Sequence, residues 1–385
     1  MKILMVSRTP THPTNAGNRW GILTMSNTLR QLGCDIYFLY IDERGLRNFR
    51  RADAQNDFSE SKSYWKDHFF VYKVGKLQKI CRNILKKIRV VFMDSHQGLY
   101  DEYPLWLHKK INRLDTIYHF DVCIVNYIFM TKAFRYIKIP RRACFTHDVF
   151  AYKNLVVGEK CLWMDAAQEA DALQLCTDIF AVQDTEMNYF HVLAPRSNIY
   201  TIYSKYDYTP QPLTGNKNIL FLSGDNGFNQ NGLFWFLEEI FPLIRNQYKD
   251  SKLIIGGSIC GVIREKVRGI EGVELLGRID NPNDFYQLGD VAINPTYQGT
   301  GIKIKTFEAI SFDKVTMVHP HSMNGIYKKH ESSLFASEDP KEWVSFLNKI
   351  WTDSSEVERI KIRNKEYIDS MNQFIISEYK RFLLP

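Results

Sequence analysis

No Cys-x-x-Cys pair occurs in the chain. Its seven cysteines, at 34, 81, 123, 144, 161, 176 and 260, are odd in number and widely spaced. This usage argues against a zinc cage or a disulfide framework. Most sit in apolar runs such as Asp121-Val-Cys-Ile-Val, where Cys acts as a small hydrophobe, and a reducing cytoplasm fits best. No stretch approaches the roughly 20 apolar residues of a membrane span, and the opening MKILMVSRTP is too short an apolar run for a signal peptide. Only 21 glycines and 13 prolines occur in 385 residues, which excludes a collagen-like or low-complexity chain. No G-x-G-x-x-G follows the first apolar run, which disfavours a dinucleotide-dependent dehydrogenase. No D-x-D motif sits in a convincing loop. Asp184-Thr-Glu186 reads better as a helix start, so neither a metal nor a cofactor is expected.

What is present suits two packed domains. The chain is 45% hydrophobic and 14% aromatic, ample for cores, and too long for one ordinary domain. A net charge of +7 suggests anionic company: nucleotides, phospholipids or nucleic acid.

Short apolar runs alternate with helical patterns. Lys2–Val6 is followed by helical spacing from Asn18 to Leu32, a stop at Gly33, and a second run at Asp35–Ile41. This is a βαβ unit with a parallel sheet, whose first loop lies at the carboxyl end where open α/β folds bind ligands. Further strands are expected at Asp121–Tyr127, Arg142–Phe145, Asp178–Val182 and Asn198–Ile202. Tyr206–Asn216, with two prolines and a glycine, reads as a linker. The rhythm then restarts with Asn218–Ser223, Lys252–Ile255, Val273–Leu276, Val291–Asn294 and Val315–His319. Leu233–Tyr248 between them is an amphipathic helix, and Pro340 to Leu384 is helical. Two doubly wound halves result.

Arg44 to Arg89 breaks the rhythm. It holds thirteen Lys/Arg against four Asp/Glu, a net +9 that exceeds the whole chain's charge. Within it, Val74–Phe92 places Leu77, Ile80, Cys81, Ile84 and Leu85 opposite Lys76, Lys79, Arg82 and Lys86, a basic amphipathic helix. Two readings stand: an ordinary surface helix with a solvated face, or a patch for an anionic lipid or acceptor. Nucleic acid is disfavoured, since no recognisable motif accompanies the charge.

The most informative segment is Asp290-Val-Ala-Ile-Asn-Pro-Thr-Tyr-Gln-Gly-Thr-Gly-Ile-Lys-Ile-Lys-Thr-Phe-Glu308-Ala. A strand ends at Pro295, a loop with Gly299 and Gly301 follows, and a helix starts near Ile304. Backbone N–H groups at such a start form an anion site, and Lys303 and Lys305 add charge. Glu308 lies on the helix's first turns. A carboxylate beside an anion site is electrostatically odd unless it accepts hydroxyl hydrogen bonds, which ribose supplies.

This segment resembles the donor-nucleotide motif of retaining glycosyltransferases of the GT-B fold, family 4, and in particular a subgroup whose loop reads G-x-G-I-K-x-K-x-x-E-A. The common family form has two glutamates with seven residues between them. Here the second falls on Glu308 and Thr300 stands at the first. Ile219-Leu-Phe-Leu-Ser-Gly224 with Asn229, Asn231 and Gly232, then Leu253-Ile-Ile-Gly-Gly257 and Leu275-Leu-Gly277-Arg278, resemble the family's C-terminal strands in order. The resemblance is strong over Asn218–Pro320, weaker in the N-terminal half, and absent from Arg44 to about Pro104.

The resemblance implies two Rossmann-like doubly wound domains facing across a cleft. Residues 1–205 would bind the acceptor, with a basic insertion at about 44–104. Residues 206–365 would bind the nucleotide sugar, and a helix over 366–385 would pack back on the first domain. Gly17, Arg19, Gly224, Gly277, Arg278, Ile279, Thr300, Gly301, Ile302, Lys303 and Glu308 are the implied donor-site residues, with Gly17 and Arg19 in the loop Pro13-Thr-Asn-Ala-Gly17-Asn18-Arg19. His147, Asp148 and Lys305 are the catalytic candidates. His147 would contact the donor sugar, and Asp148 would orient it or meet the acceptor. Glu169 and Asp178 read as mainly structural.

The implied activity transfers a sugar from a UDP- or GDP-linked donor to a glycan or lipid-linked acceptor, with retention, as in bacterial surface polysaccharide or glycoconjugate synthesis. The protein would be cytoplasmic, on the inner face of the cell membrane if the basic segment binds lipid. Lys303, Lys305, Arg19 and backbone N–H groups would neutralise the leaving diphosphate. A sugar-nucleotide epimerase on the same fold, or a non-catalytic binding protein, stays open.

Overall fold

The structure, a computed structural model, describes residues 1–14, 17–43, 58–93, 102–151 and 165–384. The tip of the first glycine loop, Cys161 and residues 44–57 of the basic segment lie outside the described residues.

Two compact units form. One comprises Met1–Ser204 with Ile375–Pro385, the other Lys205–Phe374. In the first unit, β1 (Lys2–Ser7), β2 (Asp35–Asp42), β3 (Phe69–Lys73), β4 (Val122–Asn126), β5 (Arg141–Phe145), β6 (Asp178–Ala181) and β7 (Asn198–Thr201) form one sheet in the order β3-β2-β1-β4-β5-β6-β7. In the second, β8 (Asn218–Leu222), β9 (Lys252–Gly256), β10 (Val273–Gly277), β11 (Val291–Asn294), β12 (Val315–Val318) and β13 (Phe335–Ala336) run β10-β9-β8-β11-β12-β13. Every pairing in both sheets is parallel. Parallel strands are covered on both faces by crossover helices, so they read as continuous apolar runs. Ile3, Leu4, Met5 and Val6 are accordingly all fully buried.

The strand order reverses between β1 and β4 in the first sheet and between β8 and β11 in the second. These are the switch points where open α/β sheets bind ligands. The two Rossmann-like units expected from the alternating pattern are therefore present.

Two strands escape the sequence reading. β3 lies inside the aromatic and basic segment, where charge obscures the apolar run Phe69–Tyr72. β13 has two residues, too few for any period. The second unit's first helix begins at Gly227, six residues before the expected start. Asn226 caps it by accepting from the Asn229 N–H. The segment read as a linker is held to the second unit: the Thr214 and Gly215 N–H groups donate to the Asp290 carboxylate, and Thr209 N–H to the Ser311 carbonyl. The long helix Ser354–Leu383 ends on the first sheet. Arg381 donates to the Ile199 carbonyl, Glu378 accepts from the Thr201 N–H, and Phe382 meets Phe180 edge to face at 4.9 Å.

Candidate active site

In the second unit, loops after β8 and β11 meet through one glycine. A Cβ at Gly232 would lie 2.7 Å from the Pro295 carbonyl oxygen and from Thr296 Cα, so only glycine lets the helix Gly227–Trp235 lie against the β11 loop. That approach brings Asn229 to Thr296, whose hydroxyl donates to Asn229 Oδ1 at 3.4 Å. Gly257 does the same on the other side: it adopts φ +98°, and a Cβ there would be 2.1 Å from the Ser223 carbonyl.

Lys305 fills the point so built. Its ammonium donates to Asn229 Oδ1 at 2.6 Å, Ser223 Oγ at 3.1 Å and Thr296 Oγ1 at 3.4 Å, and sits 4.9 Å from the Phe221 ring centroid. All three acceptors are neutral. Burial, with the nearby Lys303 charge adding, pushes the Lys305 pKa down to about 7. Gly224 adjoins: its carbonyl accepts from Asn229 Nδ2 at 3.1 Å. A cation held on neutral dipoles is poised for an anionic ligand.

The helix Ile304–Ser311 carries Lys305 and Glu308 three residues apart, hence on one face and about 4.5 Å apart along its axis. It starts at Lys303 without a side-chain cap. Lys303 is buried and donates to the Gly301 carbonyl at 3.0 Å. Thr300, Gly301 and Ile302 form the half-buried approach to this start. Glu308 is partly buried and accepts from the Tyr286 hydroxyl at 3.1 Å. Burial raises its pKa to about 7, against the opposing hydrogen bond. A buried cation and a carboxylate that accepts from a hydroxyl thus lie one turn apart on the same helix.

The turn after β12 braces the loop. His321 donates its Nε2–H to the Gly299 carbonyl at 2.8 Å, where Gly299 adopts φ +97°, and Ser322 Oγ donates to the Thr296 carbonyl at 2.6 Å. At the end of β10, its last residue Gly277 takes φ +76°, Ile279 packs into the cluster with Phe285 and Tyr286, and Arg278 is exposed and paired with Asp280 at 2.6 Å. Lys305 and Gly224 meet on Asn229 beside β8 and β11, Ile279 packs with Tyr286, the partner of Glu308, and Gly277 and Arg278 lie at the end of the edge strand β10.

In the first unit, His147 follows β5 and adopts φ +65°; Tyr127, which follows β4, adopts φ +71°. Left-handed backbone at two aromatic-type side chains costs free energy and marks functional sites more often than surfaces. Their rings stack at 4.5 Å. Asn126 fixes the histidine's tautomer: its amide donates to the Val6 carbonyl at 3.1 Å, leaving Oδ1 to accept from His147 Nε2–H at 2.8 Å. Nδ1 then carries the lone pair. Burial pushes the His147 pKa down to about 3, so the ring is neutral. Asp148 is buried and accepts from the Val149 N–H at 3.0 Å. Burial, reinforced by Asp148, raises Glu169 to about 7 and Glu186 to about 8. Glu169 accepts from the Phe150 and Ala151 N–H groups, and Asp178 pairs with Arg141, so both are tied into the framework. Asp184-Thr-Glu186 opens the helix Asp184–Leu193. Gly17 is exposed at the start of the helix Gly17–Gln31, while the buried Arg19 donates to the Pro13 carbonyl at 3.1 Å.

Sequence reading missed Ser223, Thr296 and Tyr286 beside the second unit's cation and carboxylate, and Asn126 and Tyr127 beside the first unit's histidine. Only position after a strand could have signalled most of them. It also missed Arg8, after β1, which pairs with Glu43 and with Glu102 at 3.0 Å.

Residues 216–353 match the family model described as Glycosyl transferases group 1. An uncharacterised 44.6 kDa protein from the cps region of Klebsiella pneumoniae is 22% identical over 348 residues, covering 80% of each chain. HepE of Anabaena in complex with UDP superposes with a TM-score of 0.63 at 12% identity, over 99% of this chain and 100% of that one. Sucrose-phosphate synthase of Thermosynechococcus elongatus gives 0.66 at 12% identity, over 99% and 98%. TarM of S. aureus, solved with UDP, gives 0.67 at 10% identity over 99% of both. The second unit thus carries the match to glycosyl transferases group 1, and the chain has the two-domain GT-B glycosyltransferase fold.

Proposed function

We propose that this protein is a retaining glycosyltransferase of the family 4 type, using a UDP- or GDP-sugar donor and a glycan or lipid-linked acceptor. The observation that carries the reading is the pairing of Lys305 and Glu308 on one face of the helix Ile304–Ser311. Lys305 with Lys303 meets the diphosphate, and Glu308 accepts from the ribose hydroxyls. The solved structures that hold UDP or UDP-glucose favour uridine as the base. The relative from a cps region supports a part in surface polysaccharide synthesis.

In this reading the bond between the anomeric carbon and the donor phosphate oxygen breaks through an oxocarbenium-like state. The acceptor oxygen bonds to the same face, and its proton passes to the departing phosphate. Negative charge grows on the diphosphate, where Lys305 and the uncapped helix start lie in a low-dielectric setting that strengthens their effect. Neutral His147 acts on the transferred sugar by hydrogen bonding, since its pKa is too low for it to serve as a charged acid.

A panel of UDP- and GDP-sugars, assayed for sugar transfer with retention, tests the reading. Turnover of one donor with an acceptor supports it. Interconversion of a donor without an acceptor selects an epimerase, and nucleotide binding without either selects a binding protein. On the productive donor, His147→Ala is expected to lower turnover about tenfold while free-nucleotide affinity stays within twofold, as for an interaction made in the transition state. His147→Asn, which tolerates φ above zero, separates lost chemistry from lost folding. Full activity in both variants rejects the role.

A further inference from the structure

The helix Lys76–Met93 carries six Lys/Arg and no Asp/Glu. An ordinary surface helix turns its apolar stripe inward and its lysines out. Here Leu77 is 75% exposed, Ile80 53%, Ile84 51%, Leu85 55% and Ile88 48%. Single exposed aliphatics are unremarkable, but five along three turns of one helix make a patch. The body is held by the adjoining side of the helix: Arg82 donates to Glu43 at 3.1 Å, where Arg8 also pairs, and Gln78 donates to the Tyr72 hydroxyl at 3.1 Å. Gln78 and Arg82 lie one turn apart, about 100° around the helix from Leu77 and its stripe. The charge that sequence pattern sends to solvent is thus partly spent on fastening the helix, and the apolar side is presented.

We propose that this face docks on an anionic lipid surface. Leu77, Ile80, Ile84 and Ile88 enter the boundary between headgroups and acyl chains, and Lys76 and Lys87, flanking the stripe, meet the anionic headgroups. Charge complementarity commits the patch to this occupant: an apolar partner protein does not require the exposed Lys76 and Lys87 beside the stripe, whereas a basic amphipathic helix on an anionic bilayer uses both features at once. No helix among the described residues is long and apolar enough to cross a membrane, so such attachment is peripheral. The inference does not depend on the donor-site reading, because vesicle binding requires no nucleotide.

Flotation of the full chain with phosphatidylcholine vesicles, with and without phosphatidylglycerol, tests it. Binding is expected to the anionic vesicles and to fall as salt rises, since exposed charge is screened within about 8 Å at physiological ionic strength. Lys76→Gln with Lys87→Gln is expected to weaken it about 25-fold, roughly fivefold for each lysine. Ile80→Gln with Ile84→Gln and Ile88→Gln is expected to abolish it without a lower melting temperature, as the three side chains are exposed. Cys81 gives a second readout in the otherwise native chain: among the described cysteines it alone is not buried. Carrying an environment-sensitive fluorophore in a Cys161→Ser background, it is expected to shift to the blue on anionic vesicles. Equal binding to neutral and anionic vesicles, no binding to either, or a dimer in sedimentation that the triple variant dissolves, overturns the proposal.

Discussion

Lys305→Met is expected to lower turnover by about 10²–10³-fold and to raise the melting temperature of the protein. The first effect follows from removing a preorganised positive charge where the leaving diphosphate develops its own. The second follows from the neutral set around the ammonium. Ser223, Asn229 and Thr296 supply dipoles and no countercharge, so burial dominates and the pKa falls to about 7. A lysine that holds its proton less tightly when folded makes stability rise with pH between that value and the unfolded value near 10.5. Below about 7 the cost of the buried charge is fully present. Methionine keeps the length of the stem and removes the cost, and each kcal/mol recovered is worth about 2–4 °C in a domain of this size. The trade of stability for a charged site is common where function needs a strained group. Scanning calorimetry near neutral pH, run beside turnover, reads both signs. A variant that melts lower and still turns over makes Lys305 a structural cation.

Nucleotide affinity in the wild type is expected to fall as pH rises above about 7, where Lys305 gives up its proton, and this limb is expected to vanish in Lys305→Met.

Much of this was readable from residue order. Apolar runs at intervals with glycine or proline stops identified eleven of the strands, because parallel strands buried on both faces cannot alternate. What escaped depended on contacts between distant residues. β3 is as apolar as its neighbours, but lies among lysines and arginines that dominate any local average. Glu308 and Lys305 stood out by motif. Tyr286, 22 residues away, and Ser223, 82 away, have no local mark and reach the helix only because β8, β11 and the intervening crossovers bring them there. The basic helix shows the limit most clearly. Its periodicity located the apolar stripe, yet periodicity cannot say which side meets the body. That was decided by Glu43, a residue of the preceding strand end that takes Arg82. His147 was placed by its strand end, but its tautomer rests on Asn126 and the Val6 carbonyl, 21 residues and more away.

Glu308 offers the other large effect. Burial raises its pKa to about 7, so near neutrality the free protein holds a share of it protonated. Folding therefore takes up a proton here, and this group's contribution makes stability fall as pH rises from about 4.5 to 7. Ribose hydroxyls donate to the carboxylate form alone in full strength, so nucleotide binding is expected to release a proton and to strengthen with pH across the same range. In Glu308→Gln that dependence is expected to be flat. Hydrogen bonds to a charged acceptor are worth about 1.5–3 kcal/mol, so Glu308→Ala is expected to weaken UDP binding about 10–100-fold. The same loss is expected for UDP with no sugar attached to its diphosphate, since the proposed contact is to ribose.

Calorimetric titration of wild type and Glu308→Ala with UDP and with 2′-deoxy-UDP is the most direct test of the donor site. If the carboxylate accepts from both ribose hydroxyls, the mutational loss is large for UDP and clearly smaller for the deoxy nucleotide, which has already lost one donor. Equal losses for the two nucleotides show that Glu308 does not touch the 2′-hydroxyl. Unchanged UDP affinity in Glu308→Ala contradicts the donor site itself, and with it the assignment of nucleotide-sugar chemistry to the helix Ile304–Ser311.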